Sequence, residues 1–206
     1  MYVPHFNQMA DGEVAAFLDA AGAAELVTQG TDGYPLATLM PFVREDDRLL
    51  LHMARANPHW KQLGDQTPAL AIVAGPQAYV SPAWYATKRE HGRVVPTWNY
   101  SAVHLTGTVT LRQDAAWLRD VVTRLTSLHE QARPEPWEVT DPPEGFIDKQ
   151  LRAIVGIELR IERVDAKAKL SQNRSEEDRS GVIAGLESDG GPAGAVAQAM
   201  RALEKS

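Results

Sequence analysis

The sequence predicts a mainly β, α+β fold: a β-barrel with peripheral and C-terminal helices. Three observations carry this. Runs rich in Val, Thr, Leu and Tyr follow one another closely, turn signals separate them, and helical spacing is confined to a few segments. A regular strand–helix alternation, which would mark a parallel sheet, is not seen.

The elements follow in chain order. Asp11 is a good N-cap, and Val14, Phe17, Leu18 and Ala21 recur behind it at helical spacing until Gly22. Leu26–Gln29 and Tyr34–Val43 read as strands joined by Thr31-Asp32-Gly33, a hairpin signal. A turn at 44–47 leads to a third strand, Arg48–Met53, so these three predict an antiparallel meander. Asn57 followed by Pro58 predicts a short helix to Leu63, because Asn caps well and Pro fits the first helical position. Ala69–Ala74 and Gln77–Ser81 read as two further strands, and 83–96 reads as irregular. Trp98–Leu111 reads as a long strand. Ala115–Glu130 is the clearest helix, with Asp114 as cap and an apolar stripe through Trp117, Leu118, Val121, Val122, Leu125 and Leu128. A Pro-rich loop, a short helix suggested by Phe146, Ile147, Leu151 and Ile154, and an alternating strand at Ile157–Ile161 follow. Ser175–Leu186 predicts a helix whose Ser175 and Asp178 form a capping-box variant. The end, 188–206, reads as a flexible link and then a short helix.

Composition limits the chemistry. The 206 residues carry 21 Lys+Arg against 27 Asp+Glu, a net charge of −6. A wide basic face for nucleic acid is therefore not expected, so DNA is a partner the charge does not support. The absence of Cys removes disulfides, thiolate metal sites and thiol nucleophiles. The six His show no metal-ligand spacing, so no metal site is expected. No apolar run is long enough for a membrane span, and no leader-like segment is visible, so a cytoplasmic protein with no membrane partner is expected.

Four segments are unusual. In Leu51–Lys61 a strand runs into a helix start with Arg55, Asn57 and Lys61 at the junction. It reads either as an anion site at the helix N-terminus or as an Asn-Pro cap between solvated cations. Val95–His104 holds Trp98, Asn99 and Tyr100, suited either to a planar ligand or to core packing. Gln77–Tyr85 is a second aromatic cluster, beside a proline break, and packing is its simpler reading. Lys167–Arg174 gathers two Lys, an Arg and two amides before a helix: an anion contact, a nucleic-acid contact or a solvated basic loop. Glu176, Glu177 and Asp178 follow at once and would weaken a phosphate grip.

Taken together, several runs resemble the PaiB-type FMN-binding transcriptional regulators. They are the Met1–Phe6 start, His52-Met53-Ala54-Arg55-Ala56-Asn57-Pro58-His59-Trp60, Gly75–Tyr85, Val95-Pro96-Thr97-Trp98-Asn99-Tyr100 and Lys169-Leu170-Ser171-Gln172-Asn173-Arg174. The resemblance covers about residues 1 to 186. It implies a flavin-reductase-like split β-barrel over 1–187 with a helical insertion, FMN as cofactor, and a homodimer with FMN at the subunit interface. It implies phosphate contacts in the stretch His52 to Lys61, from Arg55, Asn57 and Lys61 with backbone contacts at Ala54 and Ala56. Thr38 would face the flavin ring, Trp98, Asn99 and Tyr100 would cover it, and Lys169, Gln172 and Asn173 would add contacts. One departure stands out: the family strand often carries His after the Thr, and here Leu39 follows Thr38. No catalytic residue is identified; His52 and Tyr100 are the nearest to an acid or base. The readings left open are a flavin-dependent regulator or sensor, a flavin-dependent oxidoreductase on a small molecule, and a haem-binding split barrel with His52 or His104 as ligand. Exposed aromatics in Ala83–Tyr85 and Trp98–Tyr100 would also favour a dimer.

Overall fold

A computed structural model describes residues 1–203. Six strands form a closed barrel: β1 (Ala23–Gln29), β2 (Pro35–Glu45), β3 (Arg48–Ala54), β4 (Thr67–Val80), β5 (Thr97–Arg112) and β6 (Ile154–Lys169), in the order β1-β2-β3-β6-β5-β4. Six helices accompany them: α1 (Asp11–Ala20), α2 (Thr87–His91), α3 (Ala115–Glu130), α4 (Phe146–Leu151), α5 (Glu176–Asp189) and α6 (Gly191–Leu203). Among the described residues no helix is long and apolar enough to cross a membrane. The chain divides into two compact units, one of residues 18–73 and 104–164, the other of 1–17, 74–103 and 165–206.

In the first unit the expected meander forms. Leu26 pairs with Thr38 across β1 and β2, and Phe42 with Leu51 across β2 and β3, all antiparallel. β3 then pairs antiparallel with β6, His52 opposite Gly156. Period-2 alternation sorts the side chains. Leu49, Leu51 and Met53 are buried on one face of β3, as are Ile157 and Leu159 on β6. On the other face of β3, Leu50 joins Val43, Val121 and Leu125, with Trp117 against them, so α3 covers the sheet there. Gly156 is required: a Cβ would stand 2.2 Å from the Trp117 ring. Asp114 caps α3 by accepting the Trp117 N–H at 2.8 Å.

In the second unit the core is Val80, Tyr85, Val182, Leu186 and Val196, all essentially inaccessible. Trp84 lies against α5, where Gly185 makes room for it: a Cβ would meet the indole at 2.3 Å. α6 packs on α5 with Val196, Ala197 and Met200 buried. The Asp178 carboxylate accepts the Thr87 N–H at 3.0 Å and the Thr87 hydroxyl at 2.8 Å.

Four expectations are corrected. Ala69–Ala74 and Gln77–Ser81 are one continuous strand, β4, which runs through Gly75-Pro76; a Cβ at Gly75 would lie 2.6 Å from the Phe17 ring, so this position takes Gly for packing and not for a turn. The irregular stretch 83–96 contains α2, closed by Gly92 at φ +66°. The capping box at Ser175 is one-sided: Ser175 Oγ accepts the Asp178 N–H, but the acid turns to Thr87. Tyr85 is 1% exposed, so Ala83–Tyr85 is no apolar surface loop and does not argue for a dimer.

Candidate functional site

The strand-to-helix junction after β3 brings several expected residues together. The chain leaves β3 at Ala54, whose carbonyl accepts the Asn57 N–H at 2.9 Å. Asn57 then caps a 3-10 turn, Pro58–Gln62, by accepting the His59 N–H at 3.0 Å. This turn is too short for a helix dipole to attract an anion. Pro58 has no N–H, and that of His59 is spent on the cap. Of the two readings of this junction the structure shows the Asn-Pro cap, and positive charge here comes from side chains.

Two side chains supply it. The Arg55 guanidinium lies 5.7 Å from the Trp60 ring centroid and the Lys61 ammonium 6.0 Å from it, so both cations converge on one indole. The Trp60 Nε1 donates to the Arg55 carbonyl at 3.0 Å, which fixes the ring against the end of β3. Arg55 Nε donates to the Arg152 carbonyl at 3.0 Å and Nη1 to Gln113 Oε1 at 3.1 Å. Two of its five N–H donors are thus used and three remain. Arg55 and Arg152 line a cleft of about 360 Å³. Its one carboxylate, Asp148, is taken by Arg119. Ala56 is exposed beside these cations.

Behind the junction lies a group that sequence reasoning missed. His59 is 3% exposed, with Nε2 2.8 Å from Thr28 Oγ1 and Nδ1 2.8 Å from Thr38 Oγ1. Asn57 Nδ2 donates to the same Thr38 hydroxyl at 3.3 Å. A neutral imidazole has one donor and one acceptor, so one threonine gives a hydrogen to the ring and the other receives one. Burial holds the His59 pKa below its ordinary value and keeps it neutral. Thr38 is thus committed to this chain of bonds. The signal, a His directly after Asn-Pro, was in view, but its partners come from two strands far away in sequence.

His52 stands apart from this group. It alternates with Leu51 and Met53 and so shares the outward face of β3 with Leu50, the face that α3 covers. Its Nδ1 is buried without a hydrogen-bond partner, and burial lowers its pKa.

In the other unit, Trp98 and Tyr79 form an exposed aromatic pair, centroids 6.5 Å apart, with Trp98 Nε1 donating to Gln77 Oε1 at 3.1 Å. Asn99 is fully buried and ties Ser171 Oγ at 3.0 Å and Met200 Sδ at 3.5 Å. Gln172 closes its own turn, donating to the Ala168 carbonyl and accepting the Leu170 N–H. Tyr100 faces the Lys167 ammonium at 5.3 Å. Lys169 donates to Thr97 Oγ1 and to the Trp98 carbonyl, and Asn173 is exposed. Lys167 and Lys169 lie at the end of β6, so the expected basic loop is in part a strand.

The donor set at the junction suits a phosphate: two cations with free N–H groups and no carboxylate bound to either. Comparison with known proteins gives the family. A family model described as "Putative FMN-binding domain" matches residues 1–163. The chain is 33% identical over 199 residues to "Protease synthase and sporulation protein PAI 2" of Bacillus subtilis, covering 93% of this chain and 92% of that protein. Among solved structures it resembles the flavocytochrome Anf3 of Azotobacter vinelandii, with a TM-score of 0.62 and 23% identity over 87% of this chain and 78% of that one. It also resembles a conserved hypothetical protein of Mycobacterium tuberculosis, with a TM-score of 0.62 and 16% identity over 85% and 95% of the two chains. These two likenesses speak to the fold alone.

Proposed function

This chain belongs to the FMN-binding domain family and takes FMN as its cofactor; on that premise we propose that it is a regulatory flavoprotein, a homodimer that senses redox state or a small molecule and acts on transcription through a partner. The observation that carries the binding mode is the convergence of Arg55 and Lys61 on Trp60. These two side chains hold the FMN phosphate, and Asn57 keeps the turn between them in shape. Bound FMN supplies electron and hydride transfer, and the protein positions and shields it. The regulatory reading is supported by the relative whose name refers to protease synthesis and sporulation. Action through a partner is supported by the balance of 21 Lys+Arg against 27 Asp+Glu, which disfavours an autonomous grip on DNA.

The dimer reading rests on the outer face of β2, β1 and β4. Leu39 is 67% exposed, Ala37 and Pro41 are exposed beside it, and the half-buried Val27, Leu70 and Ile72 lie on the paired strands, with the exposed Glu25 between Leu39 and Ile72. A second copy covers it. The residue that departs from the family pattern, Leu39, adds apolar area at its centre.

Titrating FMN into apoprotein tests the binding mode. Arg55→Ala and Lys61→Ala are each expected to weaken FMN by about 1.5–3 kcal/mol, the scale of a charge-assisted hydrogen bond. Unchanged affinity in both variants removes them from the phosphate site. A second reading, a flavin-dependent oxidoreductase, has no specific acid or base to support it. Steady turnover of NADH or NADPH with an electron acceptor would favour it over the regulator.

A further inference from the structure

We propose that the groove between α3 and the proline-rich loop after it docks a partner protein through a short basic segment, rich in Lys or Arg with an apolar residue at its centre. This inference rests on the reading that the chain acts through a partner, and it supplies that partner's chemistry. All the residues concerned lie in the unit of residues 18–73 and 104–164.

The groove has a volume of about 350 Å³. One wall is a stripe of α3, where Arg119, Thr123, Thr126 and Ser127 recur at helical spacing. Trp137 and Val139 of the loop form the other. From Arg119 to Ser127 the helix rises about 12 Å, room for three or four residues of extended chain at about 3.3 Å each. The loop is fastened to its surroundings. Val139 is buried, the Glu130 carboxylate accepts the Trp137 N–H at 3.2 Å, and that of Asp141 accepts the Glu138 N–H at 2.9 Å. Pro134, Pro136, Pro142 and Pro143 restrict it further, so little ordering entropy is lost on docking. Yet Trp137 is 43% exposed, and Phe146, where α4 begins, is 48% exposed.

Charge decides what fits there. Residues 130–148 hold six acids, Glu130, Glu135, Glu138, Asp141, Glu144 and Asp148, against one base, Arg133: a net −5 out of the chain's −6. Glu130 pairs with Arg133, and Asp148 with Arg119. Glu135, Glu138, Asp141 and Glu144 are exposed and have no ion pair among the described residues. Nor do they converge on a point: among the described residues no group of acids and His is placed to hold a metal ion. Carboxylates spread around an exposed indole repel nucleic acid and attract a basic chain. Trp is also the residue type that anchors such contacts, by packing on an apolar side chain or by facing an Arg.

The probe is the fluorescein-labelled peptide Arg-Arg-Leu-Leu-Arg-Arg, followed by anisotropy on FMN-loaded protein, with Glu-Glu-Leu-Leu-Glu-Glu and spermine as controls. Expected is saturable binding of one basic peptide per chain, weakened by added salt. The acidic peptide should not bind, and spermine should compete about tenfold or more less well than unlabelled basic peptide, because it has no apolar centre for the groove. Trp137→Ala, and Glu135→Lys together with Glu144→Lys, should each raise the peptide's dissociation constant about tenfold or more and leave FMN affinity unchanged. Both glutamates are exposed, so the double variant keeps the test valid if Trp137→Ala disturbs the loop. Lack of saturable binding, spermine competing as well as the peptide, or unchanged peptide affinity in both variants would overturn the proposal. Failure of the partner reading is seen separately: sequence-selective DNA binding by the pure protein, or steady turnover of NADH, removes that reading and leaves peptide binding as it is.

Discussion

Mild acid should destabilise this protein through two buried imidazoles. Burial lowers the pKa of both His52 and His59 from 6.5. Above that value both are neutral in the folded and unfolded chain, and neither contributes a pH dependence. Below it the unfolded chain takes up protons that the fold refuses, so stability falls with pH until the folded pKa is reached. One pH unit below 6.5, at pH 5.5, each imidazole costs about 1.4 kcal/mol at most, and the pair about 2.8 kcal/mol. For a chain of this size that bounds the fall in Tm at about 6–11 °C. The structure gives His59 the clearer role, since a proton on its acceptor nitrogen breaks one of its two 2.8 Å bonds to Thr28 and Thr38. Thermal melts of FMN-free protein between pH 7.5 and 5.5 measure the effect. His59→Gln keeps a donor and an acceptor but cannot titrate, and should reduce it; His52→Gln with His59→Gln should reduce it further. A wild-type Tm that is flat over this range would refute the argument. An unchanged slope in the double variant would do the same.

Three other outcomes are expected. Gly156→Ala pushes a methyl to within 2.2 Å of the Trp117 ring and should cost about 1–3 kcal/mol by urea unfolding, with α3 loosened from the sheet. Asp178→Ala leaves the Thr87 N–H and hydroxyl unpaired next to α5 and should cost about 1.5–3 kcal/mol, while Asp178→Asn should recover part of it. Leu39→Glu puts a charge in the exposed apolar face of β2 and should shift sedimentation equilibrium from dimer to monomer at micromolar protein; a wild-type monomer under those conditions counts against the dimer itself.

Much of this architecture could be read from local chemistry, and the parts that could not share a cause. Strand alternation in β1–β3, the Asp114 cap and the stripe of α3 are decided by residues close in sequence, and they form as expected except that Leu128, at the end of the stripe, is exposed. The Gly75-Pro76 step reads as a break because Gly and Pro interrupt strands, yet the strand continues through it, and the glycine answers to a Phe17 ring distant in sequence. The candidate site divides in the same way. Arg55, Asn57 and Lys61 are legible because one junction holds all three. The Asn57 cap is legible too, but not that it ends a five-residue 3-10 turn, which moves the attraction for an anion from backbone to side chains. His59 looks like a neighbour of the site, but its buried bonds to Thr28 and Thr38 make it the piece that fastens the junction to β1 and β2. Substituting it should therefore alter stability and cofactor affinity together, whereas Lys61, exposed and bound only to an indole face, should alter affinity alone. That contrast separates a positioning residue from a binding one, and it is visible only once the barrel has brought the two threonines to the imidazole.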